Sequence, residues 1–223
     1  MRDENTGRWS VKGLEPSEVT YMRICANLNS RTEFKFARYG DGEFNCMFGK
    51  PGRNCDLHEY FPDMGTRLMK SLLRANYMVG IQPLALTLYR ERIVPLITGL
   101  DVYNSDALHN ASIDGCLNMF TNALEGRYVI LVGPVHLSTF DAGVHIIIPS
   151  VNCWTEYENI RQQIAFHIDG VNNAVVLLAA SMMSEVLIDD FADEPHTFID
   201  IGSVLDPYFG VKSRRYHHKL RNI

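Results

Sequence analysis

Apolar residues occur along this chain in short continuous runs separated by amphipathic segments, and the alternation predicts an α/β fold. Strands are predicted at 34–38, 77–82, 128–132, 145–148, 174–179 and 197–201. The runs 128–132 and 174–179 carry no charged residue on either face, which is typical of parallel strands that helices cover on both sides. We therefore expect a single domain with a mostly parallel sheet and helices on both faces.

The segments between the predicted strands carry helix signals. Pro16 and Ser17 open a predicted helix to residue 28, with Val19, Met22, Cys25 and Leu28 on its apolar face. Further helices are predicted at 63–73 after an Asp63 cap, at 85–97, from a Ser112 cap to 124, from a Thr155/Glu158 capping box to 168, and at 182–191. This divides the chain into an N-terminal arm (1–15), the α/β domain (16–211) and a C-terminal tail (212–223).

Composition excludes several classes of protein. Hydrophobic residues make up 46% and charged residues 21% of the 223 residues, which is ordinary for a globular domain. No apolar run approaches the roughly 20 residues that span a bilayer, and the polar N-terminus lacks a signal peptide's apolar core. We expect a cytoplasmic protein with no membrane span. The odd number of cysteines, five, argues against a disulfide framework.

Charge is unevenly distributed. The tail holds five cations and no acid, so the rest of the chain carries −10 of a total net charge of −5. An acidic body argues against a broad nucleic-acid-binding face. The tail either contacts a phosphate group or is a solvated charged terminus, and the sequence leaves both open.

Ligands of open parallel sheets bind beyond the carboxyl ends of the strands, so the residues that follow each predicted strand nominate a site. Polar and glycine residues are concentrated there: Arg38, Asp41, Glu43, Gln82, Gly133, Pro134, His136, Ser150, Asn152, Ser181, Ser184, Asp200, Gly202, Ser203 and Asp206.

The segment after the first predicted strand carries the most specific chemistry. Gly40 and Gly42 allow the backbone to turn close to a ligand. In an extended stretch Asp41 and Glu43 point the same way, and two such carboxylates favour a hard cation such as Mg²⁺ or Mn²⁺. Arg38 adds a fork that grips phosphate, so the segment predicts a diphosphate site. The alternative is an ordinary acidic turn with Arg38 paired to a carboxylate.

Other motifs of nucleotide and hydrolase chemistry are missing. Gly40 and Gly42 are not followed by the third glycine of the dinucleotide fingerprint, and there is no G-x-x-x-x-G-K-[ST]. There is also no G-x-S-x-G nucleophile elbow and no H-E-x-x-H.

The nine residues from Phe36 to Phe44, in one-letter code FARYGDGEF, resemble the R-[FY]-G-D-G-E-[FL] signature of the GT-D-type glycosyltransferases. Weaker similarities to this family and its phage and bacterial relatives follow at 106–109, 130–137, 176–181 and 198–208, so the resemblance covers about 31–216. One departure is 179–181, where the family has a glycine-rich turn and this chain has Ala-Ala-Ser.

The resemblance implies a Rossmann-like fold and transfer of a sugar from a nucleotide-sugar donor, with a UDP-sugar expected, to a hydroxyl acceptor. It implies that Asp41 and Glu43 bind Mn²⁺ or Mg²⁺. The implied donor-binding residues are Arg38, Gly40, Asp41, Gly42, Gly133, Pro134, His136, Ser181, Asp200, Gly202 and Ser203, with Arg214 or Arg215 as a further cation. The general base is left open among Asp206, His109 and His136, or Glu43 with Asp41 alone on the metal.

Competing functions remain at this stage. The acceptor is a glycan or a modified nucleic-acid base, in the cytoplasm of a bacterial cell or of a phage-infected host. A non-catalytic nucleotide-binding module is a further alternative. A methyltransferase is disfavoured because Gln82 stands where an acid should end the second strand. Homo-oligomer formation is left open.

Overall fold

Seven parallel strands form one sheet in the computed structural model of the chain, which describes residues 13–220. The strands are β1 (Lys35–Tyr39), β2 (Met78–Ile81), β3 (Val102–Asn104), β4 (Val129–Gly133), β5 (Val144–Ile147), β6 (Val175–Leu178) and β7 (Thr197–Asp200). Their order across the sheet is β3-β2-β1-β7-β6-β4-β5, and every neighbouring pair is parallel. This confirms the predicted α/β sheet.

Helices cover both faces of the sheet. They are α1 (Ser17–Asn29), α2 (Asp41–Met47), α3 (Pro62–Leu73), α4 (Pro83–Leu88), α5 (Arg90–Ile97), α6 (Ala107–Ile113), α7 (Asn118–Asn122), α8 (Tyr157–Ile168) and α9 (Ser184–Asp190). Successive strand side chains alternate between two apolar layers, so Phe36 belongs to the layer that includes α1, α6 and α7, whereas Ala37 belongs to the layer that includes α3, α8 and α9. Strands β4 and β6 are buried at every position, as their apolar sequences predict.

The strand register places the site. β1 lies between β2 and β7 at the centre of the sheet, with Arg38 level with Gly80 and Phe36 level with Ile199. Asp200 lies at the carboxyl end of β7, level with Leu178 of β6. The residues that follow the central strands therefore meet at one edge of the sheet, as predicted.

Some element predictions were wrong. Strand β3 was not predicted, because it is three residues long and only partly buried. The predicted helix 85–97 is two helices that break at Tyr89, whose hydroxyl donates to Asn45 and so ties the chain to α2. Ser112 lies inside α6 beside the Tyr208 hydroxyl and caps nothing. Thr155 donates to the Asn152 carbonyl in a 3₁₀ turn, not to a helix start.

The apolar face of α1 was assigned correctly at Cys25 and Leu28 and wrongly at Val19 and Met22. Val19 and Met22 are 46% and 52% exposed, and Tyr21 and Ile24 face the sheet with Cys25. The Tyr21 hydroxyl donates to the Cys116 carbonyl and thereby fixes this rotation of the helix. Within residues 13–220, no helix combines the length and apolar character needed to cross a bilayer.

Candidate active site

A cavity of about 380 Å³ opens at the carboxyl ends of β1, β2, β3 and β7, and we call it the first cleft. Residues from all four strand ends contribute, including Gln82 after β2 and Ser105 after β3. Ten of the predicted site residues line it: Arg38, Gly40, Asp41, Gly42, Glu43, His109, Ser181, Asp200, Gly202 and Ser203. Tertiary structure therefore gathers the Arg38–Glu43 motif with residues more than 150 positions away.

The Asp41/Glu43 segment is helical, so the expectation of an extended stretch was wrong. Helix α2 begins at Asp41 directly after β1, with Gly40 as its N-cap. The Gly40 N–H donates to Glu43 Oε2 at 2.7 Å, and the Asp41 N–H donates to Gln82 Oε1 at 3.1 Å. Acceptors at these amides stabilise a helix start, which explains the conformation. Both acidic side chains still line the first cleft.

Gly202 makes room for Arg38. Its φ is +52°, and a β-carbon at this position would lie 2.5 Å from Arg38 Nη1. Gly40 is also confined, since a β-carbon there would lie 3.1 Å from Glu43 Oε2. At Gly42 the nearest atom would be Asn54 Cβ at an ordinary 3.4 Å, so packing does not require glycine at that position.

Arg38 lies in the wall of the first cleft and has N–H groups without a hydrogen-bond partner in the described part of the chain. Its side chain is 14% exposed, and Nε donates to the Ser105 carbonyl at 2.9 Å. Asp200 Oδ2 lies 3.9 Å from the same Nε. Nη1 is buried and has no hydrogen-bond partner among residues 13–220. A buried guanidinium with unused N–H groups favours an anionic ligand, because leaving these donors unpaired is costly.

Two buried carboxyl groups lie behind the motif. Glu185 of α9 and Asp200 of β7 are 1% and 4% exposed, and both line the first cleft. Burial raises the pKa of both, and the nearby Glu43 charge raises the pKa of Glu185 further. Burial also raises the pKa of Glu43 to about 7. Burial in the floor of the first cleft therefore disfavours the charged forms of all three carboxyl groups.

The sequence prediction missed Glu185. In the sequence, Glu185 is followed by the apolar Val186, Leu187 and Ile188. An acid in such a segment lies either on the solvent face of a helix or in a buried site, and the pattern does not distinguish the two. Asn54 was missed as well. Its Nδ2 donates to Ser181 Oγ at 3.0 Å, and it follows no predicted strand.

His109 contributes a neutral ring to the first cleft. Burial, and then the Arg38 charge, hold its pKa well below the usual range. The ring stands edge-on to Tyr216, with centroids 5.2 Å apart. So low a pKa makes His109 a weak proton acceptor, and this weighs against it as the general base.

A second cavity of about 340 Å³ adjoins the first, and we call it the second cleft. Pro134, His136 and Asp206 line it, while Ser181, Gly202 and Ser203 line both clefts. His136 Nε2 lies 2.9 Å from Asp206 Oδ1, and the Ser213 hydroxyl donates to Asp206 Oδ2 at 2.6 Å. Two of the candidate bases thus form one hydrogen-bonded pair.

Gly133 lines neither cleft. It is buried at the end of β4, where a β-carbon would lie 3.0 Å from Leu137 Cδ1 and 3.3 Å from Ala179 Cβ. Its carbonyl accepts a hydrogen bond from His145 Nε2 at 3.1 Å. The structure thus places Gly133 in the packing beneath the site and not in its wall.

The described part of the basic tail packs into the site. Arg214 donates to Asp56 and to the Cys55 sulfur, and its Nε donates to Ser203 Oγ at 3.2 Å. Arg214 lines both clefts and separates them, whereas Arg215 is exposed and lines neither. The alternative of a solvated terminus is therefore wrong for Arg214. Residues 1–12 of the predicted arm and residues 221–223 lie outside the described residues.

No protein-family model matches the sequence, and no curated protein matches it. Solved structures do share its fold. A glycosyltransferase containing domain of unknown function 1792, from Streptococcus sanguinis, is 17% identical, with a TM-score of 0.62 over 84% of this chain and 81% of that chain. A structure described as showing that this domain has a distinct glycosyltransferase fold is 16% identical, with a TM-score of 0.64 over 86% of this chain and 84% of that chain.

A selenomethionine-substituted structure of the same domain type is 15% identical, with a TM-score of 0.64 over 84% of this chain and 78% of that chain. At this level of identity the similarity establishes the fold. It confirms the Rossmann-like α/β architecture that the motif resemblance implied. The roles of individual residues rest on the geometry of the two clefts.

Proposed function

We propose that this protein is a metal-dependent glycosyltransferase that binds a nucleotide-sugar donor in the first cleft and transfers the sugar to a hydroxyl acceptor. The observation that carries the proposal is Arg38, a largely buried arginine whose Nη1 has no partner among the described residues. The structural neighbours described as glycosyltransferases share the fold that presents this cleft. A UDP-sugar is the expected donor.

The residues of the first cleft fit a divalent cation that reaches the site with the donor. Within residues 13–220, no group of three or more His, Cys, Asp or Glu side chains is arranged to hold a metal ion. Asp41 and Glu43 can supply two ligands, and Mg²⁺ and Mn²⁺ sites commonly combine one or two carboxylates with substrate phosphate oxygens and water. Asp41 is the freer ligand, because Glu43 Oε2 accepts from Gly40.

A divalent cation would also offset the negative charge of the first cleft. Asp41, Glu43, Asp106, Glu185 and Asp200 line it, and they outnumber its two arginines, Arg38 and Arg214. The ionised fraction of these carboxyl groups would repel a diphosphate. A divalent cation held by Asp41 and Glu43 would offset this repulsion and would supply Lewis-acid stabilisation of charge on the leaving diphosphate.

Transfer breaks the bond between the anomeric carbon and the diphosphate oxygen, and the electron pair leaves with the diphosphate. Arg38, whose Nη1 lacks a partner among the described residues, would donate to an oxygen that gains charge in this step. Arg214 also lines the first cleft, but it is paired with Asp56. We therefore assign the leaving diphosphate to Arg38 and not to Arg214.

A nucleic-acid acceptor has less support. Arg214, the tail arginine that lines the clefts, is already paired with a carboxylate, and the body carries the acidic excess. Duplex DNA binding that weakens with salt, and weakens further when residues 212–223 are deleted, would restore that alternative.

The test of the proposed function is a thermal-shift screen against a panel of nucleotide sugars with Mn²⁺ or EDTA, followed by an assay of nucleotide release. A ligand that binds only the native state raises the melting temperature. We expect one sugar nucleotide to stabilise the protein in Mn²⁺ and not in EDTA, and to be turned over slowly. Stabilisation without turnover would indicate the non-catalytic module, and no stabilisation by any member would contradict the proposal.

A further inference from the structure

The second cleft has a different chemical character from the first. Of the described residues that line it, Arg214 is the only arginine or lysine, and it is ion-paired with Asp56. The remaining wall combines serine hydroxyls, among them those of Ser150, Ser181 and Ser203, with apolar side chains such as Leu57 and Val211. A wall without a free arginine or lysine does not favour a phosphate-bearing ligand, whereas hydroxyl groups suit a neutral sugar.

His136 gives this wall a base. Its Nε2 is 2.9 Å from Asp206 Oδ1, and a carboxylate at that distance fixes the tautomer with the proton on Nε2. Nδ1 carries no hydrogen bond among the described residues, and the side chain is 23% exposed. The imidazole thus keeps one unprotonated nitrogen available while its carboxylate partner orients the ring.

Asp206 is placed to orient His136 and not to react itself. It is 7% exposed, and its two oxygens are engaged by His136 and by the Ser213 hydroxyl. Ser213 belongs to the tail segment that Arg214 anchors on Asp56, so docking of the tail holds Asp206 in position. Of these two candidate bases, the geometry therefore favours His136 over Asp206.

The two clefts share a wall at the point where transfer has to occur. Cys55, Ser181, Gly202, Ser203 and Arg214 line both cavities, so a donor in the first cleft and an acceptor in the second would meet beside these shared residues. A transfer reaction needs one site for the donor and one for the acceptor, and the two clefts together provide both.

We infer that the second cleft is the acceptor site, that it takes a neutral carbohydrate hydroxyl, and that His136, oriented by Asp206, is the general base. This inference rests on the proposed function. The acceptor O–H proton passes to His136 Nδ1 as the acceptor oxygen bonds to the anomeric carbon. The bond from that carbon to the diphosphate breaks, and its electron pair leaves on the diphosphate oxygen.

The test uses His136→Gln, Asp206→Asn and the cleft-filling Ser150→Trp in the full-length chain. His167→Gln on α8 and Ser30→Trp after α1 are the matched controls, because neither position lines a cleft. UDP affinity in Mn²⁺ is measured by calorimetry. Release of UDP from the sugar nucleotide that the wild type turns over is measured alone and with a panel of neutral alkyl glycosides.

We expect His136→Gln and Asp206→Asn to lower kcat for UDP release by about 100-fold or more, the range of a lost general base, with UDP affinity unchanged. Asp206→Asn tests positioning, since a merely structural loss would also weaken UDP binding. Ser150→Trp should abolish the acceleration that a glycoside gives the wild type, and the control variants should behave as wild type.

The outcomes separate the two proposals. A wild type that neither binds nor turns over any sugar nucleotide contradicts the proposed function itself. A wild type that turns over its donor, with His136→Gln equally fast, overturns only the inference. Loss of UDP affinity in His136→Gln would indicate that His136 binds the donor and would overturn its assignment as the general base. Acceleration by an oligonucleotide carrying 5-hydroxymethylcytosine, and by no glycoside, would overturn the neutral acceptor.

Discussion

Arg38 and Gly202 form one structural unit at the residue scale. The guanidinium lies beside Ser105 and Asp200, and Gly202 leaves the space that its Nη1 occupies. The backbone of Gly202 is also left-handed, with φ +52°, a conformation that a residue with a β-carbon adopts only at a cost. Glycine is therefore required at position 202 both for the left-handed backbone and for the space that Arg38 Nη1 occupies.

Gly202→Ala separates these two requirements when it is compared with Gly210→Ala. Both glycines have positive φ, but a β-carbon at Gly210 meets nothing within 4 Å. We expect each variant to lose about 1 kcal/mol of unfolding free energy from the backbone. Only Gly202→Ala should also displace Arg38 and weaken UDP binding, measured by calorimetry beside urea denaturation. Equal UDP affinity in both variants would show that the clash is relieved without moving Arg38.

Glu43 gives the protein a defined pH dependence of stability. Burial raises its pKa to about 7, above the value of an exposed carboxyl in the unfolded chain. Its contribution is therefore present below about pH 4.5 and is lost as the pH rises through 7. In EDTA we expect Glu43→Gln to gain about 2 kcal/mol over the wild type between pH 5 and pH 8. Urea denaturation at both pH values checks this, and a constant difference would contradict it.

At the element scale, the turn after β6 holds a serine in a left-handed conformation. Ser181 follows Ala179 and Ala180 and adopts φ +51°. Its hydroxyl accepts from Asn54 Nδ2 at 3.0 Å, which helps to offset the strain of a left-handed residue with a side chain. The turn thereby presents a serine to both clefts.

Substitutions at Ser181 measure the backbone strain against the hydrogen bond from Asn54. Ser181→Gly relieves the backbone strain and loses the hydrogen bond, so we expect a change within about 1 kcal/mol. Ser181→Val keeps the strain, adds a β-branch and loses the bond, so we expect a loss of about 2 kcal/mol or more. Urea denaturation of the two variants against the wild type is the measurement. A Val variant as stable as the Gly variant would show that the turn can relax.

The apolar strands and the motif were the predictable part of this architecture. The apolar runs of β4 and β6 have no other stable location than a covered sheet, and their neighbours followed from the same pattern. The helical start at Asp41 was not predictable locally, because it depends on Gln82, 41 positions away in sequence. Strand β3 and the break at Tyr89 likewise depend on tertiary contacts and not on periodicity.

At the scale of the whole molecule, the C-terminal segment completes the site. Arg214 links the loop after β7 to the loop after α2 through Ser203 and Asp56. Composition alone marked this segment as basic and could not show that one arginine is inserted between two cavities. The same limit applies to Glu185, whose neighbours in the cleft, Glu43 and Asp200, come from α2 and β7.

The Arg214–Asp56 pair should be energetically coupled. The two side chains are 27% and 22% exposed, so water screens the pair and its worth is modest. We expect Arg214→Gln and Asp56→Asn each to lose about 1 kcal/mol, and the double variant to lose less than their sum. A double-mutant cycle in urea measures this coupling. Strict additivity would mean that the tail is held by Ser213 and Ser203 and not by the ion pair.

The central claim is that the first cleft recognises a diphosphate through Arg38. Calorimetric titration of UDP and of uridine, each in Mn²⁺, tests it in the wild type and in Arg38→Met. We expect the wild type to bind UDP at least about 100-fold more tightly than uridine, since charge-assisted contacts to phosphate contribute about 1.5–3 kcal/mol each. Arg38→Met should remove most of that difference and leave uridine binding unchanged. An undiminished preference for UDP in Arg38→Met would contradict the account.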